Sequence, residues 1–149
     1  MALDKPTQKM SKSHPNPKSR ILLTDSRDQI SKKLRVALTD SLDGVSYDPV
    51  LRPGVSNLIE IAFNLDHARG ASSTPAEYAA GFEGLSLKGL KEKVADVVDA
   101  HLAPIRERYD ELVRGDGREL SEAVDLGPQK ANASAAATME LVRRAVGLE

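Results

Sequence analysis

From Ser26 to the end of the chain, apolar residues recur at intervals of three and four, a period that belongs to helices rather than strands. Ser26-Arg27-Asp28-Gln29 is a capping box: the Ser hydroxyl accepts from the Gln29 N–H and the Gln side chain reaches back to the Ser amide. Ile30, Leu34, Ala37 and Leu38 then share one face, which predicts a first helix over 27–39. Val55, Leu58, Ile59, Ala62 and Leu65 predict a second, opened by Arg52-Pro53-Gly54 and ending near Asp66. After a loop at Gly70 to Ser73, Thr74-Pro75-Ala76-Glu77 starts a short helix that Gly81 ends.

The longest amphipathic stretch starts at Ser86 and carries Leu87, Leu90, Val94, Val97, Val98, Leu102, Ile105, Tyr109, Leu112 and Val113 toward a core. Asp96, Asp99, Arg106 and Arg108 are expected mostly to face outward, His101 to be packed and satisfied, and Pro104 to kink or break the helix. Arg114-Gly115-Asp116-Gly117 ends it. Leu120, Ala123 and Val124 mark a short helix closed by Gly127-Pro128, and an Ala-rich helix over 129–146 ends at Gly147. The chain is therefore expected to be all-α, a bundle of five to six helices.

Two stretches break the pattern. Met1 to Ser19 is rich in Pro, Lys and Ser, and Pro6, Pro15 and Pro17 withhold donors and bias their predecessors away from helix, so it reads as loop. Arg20 to Thr24 is an apolar run too short to build a sheet. Thr39 to Pro49 is a second loop, with Asp40, Asp43 and Asp48 around Gly44; their spacing misses the calcium-loop pattern, which leaves a turn.

Charge sharpens the contrast between the two ends. Residues 1–35 hold nine Lys/Arg against three Asp, and the remainder twelve against nineteen acids, so an anion should approach the N-terminal end. A chain of 149 residues suffices for one domain with a core of its own. It has no Cys, hence no disulfide, thiolate metal site or thiol nucleophile, and its three His (His14, His67, His101) form no ligand spacing. No protein-bound metal is expected. No run of 18 apolar residues is present to span a membrane, and the first twenty residues lack the apolar middle of a secretory signal.

The candidate chemistry lies at Lys9-Met10-Ser11-Lys12-Ser13. Two ammonium groups with serine hydroxyls between and beside them can grip a polyphosphate from one side: Lys is a mobile point charge and Ser a neutral donor. These five residues resemble the KMSKS signature of class I aminoacyl-tRNA synthetases. Thr39-Asp40-Ser41, Tyr47-Asp48-Pro49, Arg52 to Leu58 and Leu102 to Tyr109 narrow the resemblance to the tryptophanyl-tRNA synthetase family, of bacterial or mitochondrial type and in its C-terminal part only. His14 departs from the Asp that often follows the signature, which leaves the loop more positive.

The resemblance implies residues 1–24 as the KMSKS loop and a remnant of the catalytic domain, and 25–149 as the helical anticodon-recognition domain. It implies ATP with Mg²⁺, tryptophan and the tRNA for tryptophan as substrates. Lys9 and Lys12 would stabilise the transferring phosphates, and Lys9, Met10, Ser11, Lys12 and Ser13 together would bind ATP, with Met10 anchoring the loop. Lys130, Arg143 and Arg144 on the last helix are the candidate RNA contacts. The sequence has no His-x-Gly-His and no Gly-rich strand-to-helix turn, so the nucleotide-binding half of the family fold is expected to be absent and the chain inactive alone. A homodimer is expected for the complete enzyme, and the wording of Ser19 to Thr24 points to the mitochondrial matrix, with the cytoplasm as the alternative. A stand-alone helical RNA-binding or regulatory module is the other reading.

Overall fold

A computed structural model describes residues 1–67 and 74–148. Among them lie five α-helices and no strand: α1 (Arg27–Arg35), α2 (Pro53–His67), α3 (Pro75–Ala79), α4 (Leu87–Arg114) and α5 (Arg118–Ala145), with 3-10 turns at Pro17–Ser19 and Ala80–Phe82. The loop expected at Gly70 to Ser73 lies outside the described residues. The chain divides into two compact units, Met1–Glu107 and Arg108–Glu149.

Local signals start the helices of the first unit where the sequence places them. Ser26 Oγ accepts from Gln29 N while Gln29 Oε1 accepts from Ser26 N at 2.7 Å, which opens α1. Thr74 Oγ1 accepts from Glu77 N to open α3. The end of α1 departs from expectation, for it stops at Arg35 instead of residue 39. Tertiary bonds claim the backbone that would have continued it: Leu38 N donates to Leu3 O at 2.7 Å and Ala37 O accepts from Lys91 Nζ at 2.8 Å. Leu38 is consequently exposed, not part of the core face.

The core of this unit joins Leu3, Ile30 and Leu34 to Val55, Leu58, Ile59 and Ala62 of α2 and to Leu90, Val94, Val98 and Leu102 of α4. Tyr78 sits between Phe63 and Phe82, with edge-on ring contacts at 5.9 and 5.2 Å, and its hydroxyl donates to Asp66. Burial and that bond raise the Tyr78 phenol well above its ordinary range. Gly81, expected to end α3, lies inside the 3-10 turn that continues it. Beyond Leu102 the apolar stripe of α4 leaves the core: Ile105, Tyr109 and Val113 are exposed. Asp99 and Arg106, expected to face outward, are half-buried and paired at 2.9 Å, and Arg106 also donates to Asp25 O. His101 is packed, yet its Nδ1 is buried without a hydrogen-bond partner among the described residues, in place of the satisfied histidine expected.

Neither proline breaks its helix. Exposed Pro104 is carried inside α4, and Pro128 inside α5, which fuses the two helices expected on either side of Gly127-Pro128. No residue of α5 is buried, so water can meet the Val124 carbonyl that Pro128 has no N–H to satisfy. The end of α5 follows expectation, with Gly147 at φ 74° and Leu148 N returning to Arg143 O at 2.9 Å.

One glycine is fixed by a close approach. A Cβ on Gly54 would lie 2.2 Å from Leu38 O, which is backbone and cannot swing away. Gly54→Ala is expected to lower stability by about 1–3 kcal/mol in urea unfolding. Gly81→Ala, whose Cβ would meet nothing within 4 Å, should leave stability unchanged or slightly raised.

Candidate functional site

The Lys9–Ser13 loop leaves and re-enters the first unit through a narrow neck. Leu3 is buried in the core, its N–H donates to Ser19 O at 2.9 Å, and its carbonyl is the acceptor for Leu38. Asn57 Nδ2 donates to Met1 O and Ala2 O at 3.3 and 3.4 Å, tying the same strand of chain to α2. Asn16 Nδ2 donates to Asp4 Oδ2 at 2.7 Å, while its own Oδ1 accepts from Lys18 N to cap the turn at Pro17–Ser19. Buried Ser19 donates to Asn16 O, and Arg20 donates to His14 O at 2.7 Å. Asp4, Asn16 and Arg20 thus hold the loop shut at its base. Sequence reasoning passed over them as sites because polar residues in a loop follow no period.

Within the loop the sequence candidates separate into an anchor and free ends. Met10 packs partly buried against the hydrophobic core, as expected of it. Lys9 and Lys12, on either side, are exposed, and no carboxylate among the described residues pairs with them. Asp4 is the sole acid in residues 1–24, and its bond goes to Asn16. Ser11 and Ser13 lie with their hydroxyls 3.0 Å apart, and the His14 ring accepts from Asn16 N through Nδ1. Two uncommitted ammonium groups and two hydroxyls therefore stand on a loop whose base is fixed. This is a donor set for an anion with several oxygens.

The stretch from Thr39 to Leu58 turns out to be architecture. Arg52, only 5% exposed, gives its guanidinium to Asp40 through two bonds of 2.9 and 2.8 Å, and to Ser46 Oγ, Leu42 O and Gly44 O. Asp48 Oδ1 accepts from Val50 N and Leu51 N, and Asp48 N donates to Ser56 Oγ. The hydrogen bonds from Arg52 hold the Asp40 carboxyl below the usual carboxylate range.

The candidates on α5 are not brought together. Lys130 lies fourteen residues before Arg144, roughly 20 Å along the helix axis, and Arg143 points to a different side of it. Arg144 pairs with Glu140 at 2.7 Å. All three are exposed.

Comparison with known proteins yields a consistent set. Residues 1–103 match the family described as tRNA synthetases class I (W and Y). The chain is 43% identical over 148 residues to a tryptophan–tRNA ligase of Halalkalibacterium halodurans, covering 99% of this chain and 43% of that protein. A mitochondrial tryptophan–tRNA ligase of Schizosaccharomyces pombe is 36% identical over 148 residues, with 39% of its length covered. The fold superposes on the crystal structure of a tryptophanyl-tRNA synthetase from Mycoplasma pneumoniae with a TM-score of 0.73 at 26% identity, covering all of this chain and 45% of that one. The chain thus spans less than half the length of the relatives it matches.

Two measurements test this geometry. Asn16→Ala removes both the Asp4 bond and the turn cap, and is expected to speed tryptic cleavage at Lys9 and Lys12 about tenfold with little change in global unfolding; unchanged cleavage would mean the neck is held otherwise. Arg52→Ala should cost about 3–5 kcal/mol, because it strands a half-buried carboxylate. The folded-state pKa of Asp40 is depressed, so its contribution is complete above the ordinary value of 3.8 and lost as pH falls through its lower folded value. The stability gap between wild type and Asp40→Asn should accordingly be flat near neutrality and shrink in acid.

Proposed function

The chain belongs to the class I tRNA synthetases of the tryptophan and tyrosine group, and from that premise we propose that it is the C-terminal part of a tryptophan–tRNA ligase. The observation that carries this reading is the match of 148 residues at 43% identity to a protein of that name. Residues 1–24 are the phosphate-facing loop with a remnant of the catalytic domain, and 25–149 the RNA-facing helical part. Chemistry requires a nucleotide-binding half in addition to these residues, and the complete enzyme works as a homodimer. The likeness to the fission-yeast protein supports a mitochondrial matrix location.

In the activation step the tryptophan carboxylate attacks the α-phosphate of ATP and pyrophosphate leaves, with Mg²⁺ entering as part of the ATP substrate. No side chain need act as nucleophile. What the protein must supply is position, and positive charge at the departing oxygens. Lys9 and Lys12 supply that charge: both are exposed and free of carboxylate partners among the described residues, so neither must break an ion pair to reach a phosphate. Ser11 and Ser13 donate to phosphate oxygens in exchange for their mutual bond of 3.0 Å. Met10 keeps the loop registered on the core while the lysines move. Transfer to the tRNA follows, with exposed Lys130 and Arg143 of α5 contacting its phosphates, and Arg144 only on leaving Glu140.

Replacing Lys9 and Lys12 by Ala in the complete enzyme is expected to slow tryptophan-dependent ATP–pyrophosphate exchange by about 10²–10³-fold for each charge removed, the scale of losing one transition-state donor. The KM for tryptophan should hardly change. Exchange at the wild-type rate in the double variant would refute the assignment.

A further inference from the structure

A cationic concavity is lined by residues outside the Lys9–Ser13 loop. A cleft of about 470 Å³ opens between α1 and the first turns of α4, lined by Ser31, Arg35, Lys88, Lys91 and Glu92. It continues through the shared Ser31 and Glu92 into a second depression of about 400 Å³, where Arg27 is already paired with Asp96 at 2.9 Å. The first end keeps its charge. Arg35 is exposed and meets no carboxylate among the described residues, and Lys88, mostly solvent-exposed, has only a 3.8 Å approach to Glu92. Lys91 is fixed in place by its bond to Ala37 O at the end of α1.

We infer that this end of the α1–α4 groove binds the phosphodiester backbone of the RNA, adding affinity without reading sequence. This rests on the tRNA-ligase reading and adds a contact surface to it. Charge complementarity selects the occupant: three cations and a hydroxyl face one carboxylate at this end, whereas the adjoining depression sets Asp28 and Asp96 beside Arg27. Base reading is disfavoured by the lining, since it contains no aromatic ring on which a base could stack. The charges of α5 are by contrast balanced, with four Lys/Arg against four Asp/Glu, and Arg144 is engaged with Glu140.

The test measures binding of tRNA to the full 149-residue chain over a range of potassium chloride concentrations, with wild type and Arg35→Ala/Lys88→Ala. The double variant should bind roughly tenfold more weakly near 0.1 M salt, and the slope of log affinity against log salt should fall by about one to two. The loss should be the same for the tRNA for tryptophan and for an unrelated tRNA. Arg35→Lys/Lys88→Arg, which keeps both charges, should bind like wild type with the same salt slope. An unchanged slope in the alanine variant, no tRNA binding by the wild-type chain, or equal competition by polyglutamate would each overturn the inference. If the groove variant loses RNA affinity while the complete enzyme shows no tryptophan-dependent exchange, the ligase reading fails and the groove stands.

Discussion

The guanidinium of Arg52 is the fixed point from which the Lys9–Ser13 loop is positioned. Burying a cation costs several kcal/mol unless its hydrogen-bonding capacity is met, and here Asp40, Ser46, Leu42 and Gly44 supply five acceptor contacts. The 39–52 stretch must therefore wrap around one side chain at the start of α2. That wrapping lays Leu38 against Gly54, where a Cβ has no room. Leu38 in turn pairs with Leu3, Leu3 with Ser19, and Asp4 with Asn16. Each contact fixes the backbone that makes the next. The base of the loop is thus set by a residue more than thirty positions further along the chain.

What could be read from the sequence follows how local each determinant is. The openings of α1 and α3 were legible because a capping residue and its N–H partner lie three positions apart. The closing turn at Gly147 was legible for the same reason. The end of α1 was not, since the Leu38 amide is claimed by Leu3 O and the Ala37 carbonyl by Lys91 Nζ, both from distant parts of the chain. Pro128 was over-read as a breaker, and at Pro104, where a kink or a break was expected, the helix is not broken. A missing N–H ends a helix when its carbonyl partner has nowhere to turn, and along an exposed helix such as α5 water stands in.

The site divides along the same line. Lys9 to Ser13 stood out as a candidate because all five residues are contiguous, and a set of cations and hydroxyls is conspicuous when it is compressed into one loop. Asp4, Asn16 and Arg20 could not, because their role consists in partners that only folding brings within 3 Å. The Thr39 to Leu58 text was legible as a family likeness but not as a mechanism. Its physical meaning appears once Asp40 and Arg52 are seen as a bidentate pair and Ser56 as the acceptor for Asp48 N. The α1–α4 groove was beyond reach, for Arg35 and Lys88 are more than fifty residues apart.

The near-zero net charge of the chain conceals two populations of cations with opposite duties. Arg52, Lys33 and Arg106 have side chains 21% exposed or less, and each is bonded to a carboxylate, Asp40, Asp25 and Asp99 respectively. Such cations hold elements together, and a passing anion cannot recruit them without leaving a buried or half-buried carboxylate unpaired. Lys9, Lys12 and Arg35 are exposed and have no carboxylate partner among the described residues. For these, binding a phosphate releases only water and counterions. Pairing, more than position in the sequence, therefore separates architectural charge from charge available to a ligand. By that criterion the Lys9–Ser13 loop and the cleft between α1 and α4 both carry charge that a ligand can recruit, as do the exposed Lys5, Lys18, Lys32 and Lys93.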